Sequence, residues 1–260
     1  MRKLLLFLLL CVTAAVSAQS VPMDGLAHVA IRVKDVPASR AFYEKIGFLE
    51  AFTLDNKGVL DRSFVKINDD QFIELYPQTE KQPQIGFLHL CFYGSDLESL
   101  HKQYEREDLK PHDLKKAGAG NLLFTMEGPE KQNIEYTQYM PGSLHSNDHG
   151  KHLGNPVGPK LISVSLAMKD VPAARAYYSE KLHFPITKSG SFAIPGTSGE
   201  TVVIEDDQIG ARMRVAFQVK TLKEAAAALT KRGVSFTRAK NALSTTDPDG
   251  NIVEFREHGS

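Results

Sequence analysis

Four residues with metal-binding side chains recur in this sequence at one spacing. His28 begins the segment HVAIRVKDVPASRAFYE, and His89, 61 residues later, begins the related segment HLCFYGSDLESLHKQYE. The same spacing separates Glu74 in FIELY from Glu135 in NIEYT. Two imidazoles and two carboxylates suit Zn, Ni, Co, Mn or Fe(II), with positions left for water or substrate. The repeat therefore predicts a divalent-metal site to which each half of a duplicated unit contributes a His and a Glu.

Strand periodicity indicates how these side chains meet. His28 alternates with aliphatic residues, and so do Glu74 and His89 in their own segments. The aliphatic residues beside His28 are Val29, Ile31 and Val33. Because successive side chains of a strand point to opposite faces, the ligand residues lie on the face away from the aliphatic set. We expect helices to cover the aliphatic face and the other face to form a cleft, where an approximate twofold axis brings the four residues together.

A carboxylate beside a bound metal is also a candidate base. In this hypothesis the metal binds two oxygens of a small substrate and stabilises a developing enolate or oxyanion. Glu74 or Glu135, as the catalytic residue, then accepts a proton. Tyr76 and Tyr139 lie on the same strand faces as these glutamates and are the candidate substrate-binding residues. Packing in the wall of the cleft is the alternative role for both tyrosines.

A second repeat, at a spacing of 135 residues, divides the chain. The segment from His28 returns as SVSLAMKDVPAARAYY from Ser163, and each copy predicts a strand followed by a helix. We therefore expect a domain with the metal site at 24–141, a linker at 142–159 and a second domain at 160–257. Three histidines of the linker could bind metal or close over the cleft, with an exposed polar linker as the default expectation. They are His145, His149 and His152.

The first residues predict a signal peptide. Arg2 and Lys3 precede an apolar run at 4–12, and small residues then lead to a candidate cleavage site before Gln19. The apolar run is too short to span a bilayer comfortably, so no stable membrane anchor is expected. We therefore expect residues 1–18 to be removed and the protein to be exported, either to the periplasm or as a secreted protein.

The composition limits the classes of partner. The 31 basic residues balance the 31 acidic ones, which gives no electrostatic reason to expect nucleic acid or an anionic membrane surface. Cys91 is the only cysteine left after the predicted cleavage, so no internal disulfide is expected. The expected partners are a small-molecule substrate and, since cleft-forming domains often associate, a second copy in a homodimer.

The motifs that contain these residues resemble the vicinal oxygen chelate superfamily, which includes glyoxalase I, methylmalonyl-CoA epimerase, extradiol dioxygenases and fosfomycin-resistance enzymes. The motifs are LAHVAIRVKD with SRAFYEKIGF, then FIELYP, FLHLCF, NIEYTQY and DPDGNIVEF. The resemblance implies an α+β fold of tandem glyoxalase-like domains, each made of paired βαβββ units that curl around a cleft. The metal ligands of glyoxalase-I-like members match His28, Glu74, His89 and Glu135, and the set is complete.

The resemblance also implies an activity. The expected function is that of a glyoxalase-like metal-dependent lyase or isomerase acting on a small oxygen-chelating substrate. Extradiol dioxygenases use two His and one Glu, so the presence of Glu74 favours lyase or isomerase chemistry. An Fe(II) extradiol-type dioxygenase and a non-catalytic small-molecule binding or resistance protein are the alternatives.

The second domain departs from the ligand pattern of the family. Ser163 stands at the position of His28, Arg214 stands at that of His89, and only Glu254 is kept, in NIVEF. We therefore expect a degenerate, metal-free glyoxalase-like domain that shapes or covers the cleft.

Overall fold

The computed structural model describes residues 23–207 and 212–257. It contains two sheets, of eight and seven strands, together with five α-helices in the described ranges. The predicted α+β fold is therefore confirmed. The predicted signal peptide at 1–18 lies outside the described residues. Within the described part of the chain, no helix is both long and apolar enough to cross a membrane.

The first sheet is built from two copies of a βαβββ unit. The first copy comprises β1 (Gly25–Val33), α1 (Val36–Lys45), β2 (Leu49–Asn56), β3 (Val59–Lys66) and β4 (Phe72–Pro77). The second copy comprises β5 (Gly86–Tyr93), α2 (Leu97–Arg106), β6 (Lys115–Lys116), β7 (Leu122–Glu127) and β8 (Asn133–Gln138). The strand order is β2-β3-β4-β1-β5-β8-β7-β6, with β1 and β5 antiparallel at the centre. An approximate twofold axis therefore passes between β1 and β5, as the 61-residue repeat predicts.

Both helices of the first sheet begin at an aspartate that recurs in the repeat. The Asp35 carboxylate accepts a hydrogen bond from the Ala38 amide at 2.9 Å, and the Asp96 carboxylate accepts one from the Ser99 amide at 3.1 Å. Such caps satisfy amides that have no partner in the first turn of a helix. The predicted aliphatic face of β1 is fully buried in the hydrophobic core. The opposite face, with His28, is left to form the cleft.

The second sheet repeats this arrangement with one strand fewer. Its first unit comprises β9 (Lys160–Met168), α4 (Val171–Ala176), which continues as a π-helical turn (Tyr177–Lys181), β10 (Phe192–Ala193) and β11 (Thr201–Asp206). Its second unit comprises β12 (Arg214–Val219), α5 (Leu222–Lys231), β13 (Thr237–Arg238), β14 (Ala242–Thr246) and β15 (Ile252–Glu257). The strand order is β10-β11-β9-β12-β15-β14-β13. The short β10 therefore stands where the first sheet has both β2 and β3.

The connection between the sheets is partly buried. Its helix α3 (Leu144–Asp148) packs against the first sheet, with His145 only 4% exposed. Lys66, at the end of β3, is 1% exposed and donates to the Asp148 carboxylate at 2.9 Å and to the Lys151 carbonyl at 2.8 Å. A buried ammonium group requires such acceptors. The expectation of an exposed linker is therefore wrong for α3, because α3 supplies the acceptors that Lys66 needs.

The two sheets share one hydrophobic core. Ring centroids of Phe48 and Phe217 lie 4.9 Å apart, which joins the cores on either side. Tyr43 and Tyr178, which are related by the 135-residue repeat, each form a hydrogen bond between the two halves of the chain. Tyr43 donates to Asp247 at 3.4 Å, and Tyr178 donates to the Gln132 side chain at 3.1 Å. Each tyrosine thus bonds to a residue in the loop before the last strand of the other sheet.

Candidate metal centre

The floor of the first cleft is made by two small residues on either side of the twofold axis, Ala30 and Cys91. Each has one His and one Glu as its neighbours on adjacent strands. The two sets are Ala30 with His89 and Glu74, and Cys91 with His28 and Glu135. A small side chain at each floor position leaves space above the sheet for the larger side chains to converge.

The structure brings together all four predicted ligand residues. His28 Nε2 lies 3.1 Å from His89 Nε2, 3.5 Å from Glu74 Oε1 and 3.5 Å from Glu135 Oε1. The potential ligand atoms of His28, Glu74 and His89 all lie within 4.8 Å of one another. Donor atoms of His89, Glu74 and Glu135, from three other strands, therefore all lie within 3.5 Å of His28 Nε2.

Burial holds both imidazoles in their neutral form. It lowers the pKa of His28 to about 3, with a further lowering by the positive charge of Arg62. Burial likewise lowers the pKa of His89 to about 4, and the neighbouring His28 adds to the effect. A neutral imidazole has a lone pair available, which is the form that binds a metal.

Burial outweighs the nearby positive charge of Arg62 at both carboxyl groups. Burial raises the pKa of Glu74, although His89 and Arg62 act in the opposite direction. Burial also raises the pKa of Glu135 to about 8, and the negative charge of Glu74 contributes. Two buried carboxyls beside two neutral imidazoles form a set of oxygen and nitrogen donors whose negative charge a divalent cation would balance. The residues present therefore fit a divalent metal.

Tyr76 and Arg62 hold the outer oxygen of Glu74. The Tyr76 hydroxyl donates to Glu74 Oε2 at 2.9 Å and accepts from Arg62 Nη1 at 2.6 Å. Arg62 Nη1 itself lies 3.8 Å from Glu74 Oε2. Arg62 was not among the predicted site residues, although strand alternation places it on the same face as Phe64. The Tyr76 hydroxyl thus bonds to a candidate metal ligand. The substrate contact predicted for Tyr76 stays a prediction.

Cys91 offers a second, overlapping set of donors with His28 and Glu135. Its Sγ lies 3.6 Å from Glu135 Oε1, to which the thiol donates. Burial raises the pKa of this thiol well above its usual range, and the charge of Glu135 raises it further. A protonated thiol is a poor metal ligand. The arrangement therefore suits Cys91 to orienting Glu135.

A cavity of about 360 Å³ opens above the four residues. His28, Glu74 and Glu135 contribute to its lining, together with Lys115 and His145. The Tyr139 hydroxyl, predicted to contact substrate, is engaged elsewhere. Its hydroxyl donates to the backbone carbonyl of Asp70 at 2.7 Å, and its ring stacks on His145 at a centroid distance of 5.0 Å. Its substrate contact stays a prediction. His145 lines the cavity, in keeping with the alternative that linker histidines close over the cleft.

The second cleft has a different set of residues at the same positions. Its register pairs Ser163 with Ala216 and pairs Ser165 with Arg214, just as His28 pairs with Cys91 and Ala30 pairs with His89. This register agrees with the assignment of Ser163 and Arg214 to the two histidine positions. The residue at the position of Glu74 is Val203, because it pairs with Ser165. Of the four candidate ligand positions, only that of Glu135 keeps its residue type in the second cleft, as Glu254.

Comparisons with known proteins agree with the motifs. The family profile of the Glyoxalase/Bleomycin resistance protein/Dioxygenase superfamily matches residues 25–136. A comparison with curated protein sequences finds no match to this chain.

Several solved structures share the fold at low sequence identity. The Mn(II)-bound glyoxalase from Novosphingobium aromaticivorans is 13% identical with a TM-score of 0.68, over 92% of this chain and 83% of that one. The 2,3-dioxygenase LapB from Pseudomonas sp. KL28 is 14% identical with a TM-score of 0.66, over 93% and 94%. Homoprotocatechuate 2,3-dioxygenase from B. fuscum is 17% identical with a TM-score of 0.67, over 92% and 72%. The family match therefore covers the first duplicated unit, residues 25–136, and the chain as a whole shares its fold with this glyoxalase and these dioxygenases.

Proposed function

We propose that the first cleft binds one divalent metal through His28, Glu74, His89 and Glu135 and acts as a lyase or isomerase on a small oxygen-chelating substrate. The observation that carries this proposal is the convergence of four donor atoms, with both glutamates close to His28 Nε2 at 3.5 Å. The identity of the metal is left open among Zn, Ni, Co, Mn and Fe(II). When bound, the metal supplies a Lewis acid that stabilises negative charge developing on a substrate oxygen.

The surroundings of the two glutamates favour Glu135 as the base. Glu74 is held by Tyr76 and Arg62, and its side chain is 6% exposed. The side chain of Glu135 is 16% exposed, and it accepts a hydrogen bond from the weak thiol donor of Cys91 on the neighbouring strand. Since a base must reach the substrate, Glu135 is the better placed of the two to accept a proton at Oε. In the metal-free protein burial raises its pKa to about 8, and a bound cation would favour the carboxylate form that accepts a proton.

The proposal is tested by proton exchange in a metal-loaded protein. Small α-hydroxycarbonyl compounds are incubated with the protein in D₂O, and loss of the α-proton signal is followed by ¹H NMR. Enolisation by a base predicts exchange in the wild type and loss of exchange in Glu135→Gln, even at metal concentrations that saturate both proteins. A wild-type protein that neither retains nor takes up any of the five metals would overturn the proposal.

A dioxygenase is the second candidate, because two of the structures that share the fold are 2,3-dioxygenases. It predicts oxygen consumption with catechols after loading with Fe(II) under anaerobic conditions, measured with an oxygen electrode. Tight binding of a small molecule without exchange or oxygen uptake would instead support a non-catalytic binding protein.

We also propose that the protein is exported after cleavage before Gln19, on the strength of the basic, apolar and small-residue pattern at its N-terminus. N-terminal sequencing of the protein from a cell-free culture fraction tests this directly. The homodimer expected from the sequence is likewise a proposal, which light scattering on the purified protein tests.

A further inference from the structure

His145 is a buried polar residue in an aromatic box. Three phenylalanines and a tyrosine surround its ring, which is 4% exposed. The ring centroids lie 4.9 Å from Phe52, 5.3 Å from Phe64, 4.7 Å from Phe72 and 5.0 Å from Tyr139. Such packing fixes the orientation of the imidazole and keeps water away from most of it.

One nitrogen of this imidazole has a partner and the other has none. The Asn121 amide Nδ2 lies 2.9 Å from His145 Nδ1 and donates to it. His145 Nε2 is buried without a hydrogen-bond partner among the described residues, and so is Asn121 Oδ1. Leaving a buried polar atom unsatisfied costs roughly 1–3 kcal/mol, so such an atom in a native structure requires an explanation.

The position of His145 supplies that explanation. His145 and Asn121 line the same cavity of about 360 Å³ as His28, Glu74 and Glu135. Burial lowers the pKa of His145 to about 3, so its ring is neutral at physiological pH. In a neutral ring whose Nδ1 accepts a hydrogen bond, Nε2 carries the hydrogen. The wall of the cavity therefore contains a fixed imidazole whose Nε2–H has no acceptor among the described residues.

The segment that contains His145 is firmly held. Lys66 donates to the carboxylate and the backbone carbonyl of Asp148, three residues further along, at 2.9 and 2.7 Å. Ser143 caps α3 on its other side by accepting from the Ser146 amide at 3.2 Å. Anchors at both ends of α3 keep the imidazole in place, which a binding group needs and a loosely packed loop residue lacks.

The charges of the cavity indicate what the free donor binds. A divalent cation at the cluster would balance Glu74 and Glu135, and the cavity lining would then keep the positive charges of Arg62, Lys115 and Lys116. The charge of Arg62 is partly neutralised by Asp61, whose Oδ2 lies 2.8 Å from Arg62 Nε. The two lysines are exposed, so ions in solution screen their charges. The remaining field is weak but positive, and it favours an anionic oxygen as the acceptor.

We propose that His145 Nε2–H is the substrate-binding donor of the first cleft and binds a carboxylate oxygen of a small chelating acid. The substrate class is thus a carboxylate whose other oxygens are held at the four-residue cluster. Asn121 is a positioning residue, because its amide fixes which nitrogen of His145 carries the hydrogen. The inference rests on the metal site of the proposed function and extends it to the substrate.

Two chelating probes separate the donor from the metal. Oxalate has two oxygens for a metal and two further carboxylate oxygens, whereas acetohydroxamate has two chelating oxygens and a methyl group. Isothermal titration of each probe into Mn²⁺-loaded protein is compared between the wild type, His145→Phe and the matched control His149→Phe. His149 lies on the same segment, but its side chain is 72% exposed.

The expected result is a loss of oxalate affinity of roughly tenfold in His145→Phe, since a hydrogen bond to a charged acceptor is lost. Acetohydroxamate and Mn²⁺ itself should bind within about twofold of the wild type in both variants, because neither contacts Nε2. Unchanged oxalate affinity in His145→Phe, with Mn²⁺ still bound, overturns this inference and leaves the proposed function intact. A wild-type protein that does not bind Mn²⁺ or the other metals counts against the proposed function instead.

A second variant keeps the inference falsifiable where His145→Phe does not fold. Near-ultraviolet circular dichroism checks the packing of the aromatic box in each variant. If His145→Phe loses the native signal, Asn121→Leu is titrated in its place, because it removes the donor to Nδ1 and frees the imidazole to change tautomer. Oxalate affinity should again fall, and an unchanged oxalate affinity in Asn121→Leu overturns the inference.

Discussion

The two clefts of this chain share a strand register but differ in the source of their positive charge. The first cleft gathers two neutral imidazoles and two carboxyls, and it fits a cation from solution. The second cleft has Arg214 at the position of one imidazole, with its Nη1 3.2 Å from Glu254 and its Nε 3.5 Å from Glu205. Arg256 also pairs with Glu254. In the second cleft the charge that balances the glutamates belongs to the chain itself.

This difference shows how few positions separate a cleft lined by candidate metal ligands from one in which an arginine pairs with the glutamates. An arginine is always protonated and brings its cation to the carboxylates with no dependence on ions in solution. A buried histidine is neutral and provides a lone pair instead of a charge. With Ser163, Arg214 and Val203 at the positions of His28, His89 and Glu74, the second cleft lacks three of the four donor side chains of the first.

The largest effect is expected from removing both imidazoles of the first cleft. In His28→Ala/His89→Ala, Mn²⁺ affinity should fall by at least about 100-fold, because only the two carboxylates remain as donors. Ser163→Ala, at the position of His28 in the second cleft, is the matched control and should leave the affinity unchanged. Titration calorimetry and elemental analysis measure both. Equal metal content in the double variant and the wild type would place the metal elsewhere.

The second effect concerns the charge built into the second cleft. Arg214→Ala removes the bridge between Glu205 and Glu254, although Arg256 still pairs with Glu254. We expect the free energy of unfolding to fall by about 1–2 kcal/mol, a value reduced for partial exposure of these side chains. Urea denaturation measures it, with metal-free His89→Ala as the comparison. A larger loss for His89→Ala would contradict the view that ion pairs within the chain stabilise the second cleft more than the first.

A third effect is the pH dependence of metal binding. In the metal-free protein Glu135 has a pKa of about 8, so at pH 6 it holds a proton that a metal must displace. Apparent Mn²⁺ affinity should therefore rise as pH increases from 6 to 8, by roughly tenfold per pH unit for one proton released. Titrations at three pH values measure the slope. Glu135→Gln has no such proton and should show a shallower slope, and equal slopes would assign the proton to another group.

The smallest effect is expected from the tyrosines beside the cluster. Tyr76→Phe removes the donor to Glu74 and should weaken Mn²⁺ binding by roughly threefold to tenfold, as outer partners of ligands commonly do. Tyr139→Phe should leave it within about twofold, because that hydroxyl bonds to the Asp70 carbonyl away from the cluster. Calorimetry compares the two. The reverse ranking would show that the Tyr76 bond to Glu74 has no influence on the metal.

The convergence of His28 and His89 could be predicted from the sequence because two periods acted together. Strand alternation fixes the face of each side chain, and the 61-residue repeat fixes the symmetry that relates them. The same logic places Glu74 and Glu135. It also identifies Ser163 and Arg214 as the residues that stand at the two histidine positions in the second sheet. These relations depend on local pattern and repetition, which a single sequence contains.

The rest depends on contacts between distant segments. The burial of His145 requires the acceptors that Lys66 draws from α3 and the rings of Phe52, Phe64 and Phe72, none of which is close to it in sequence. Glu205 could not be inferred from the repeat, since it stands two residues beyond the position of Glu74 in the second sheet. The loss of a strand beside β10 likewise leaves no clear local signal.

The burial of Lys66 has a consequence for the origin of the chain. The duplicated sequence ends near Pro141, yet a chain divided there would lose Asp148 and Lys151, which accept hydrogen bonds from this ammonium group. Asp69 alone would remain beside it, at 2.7 Å. The unit that was copied is therefore shorter than the unit that folds. Any exchange of the first half between related genes would have to include α3 for the recipient protein to stay intact.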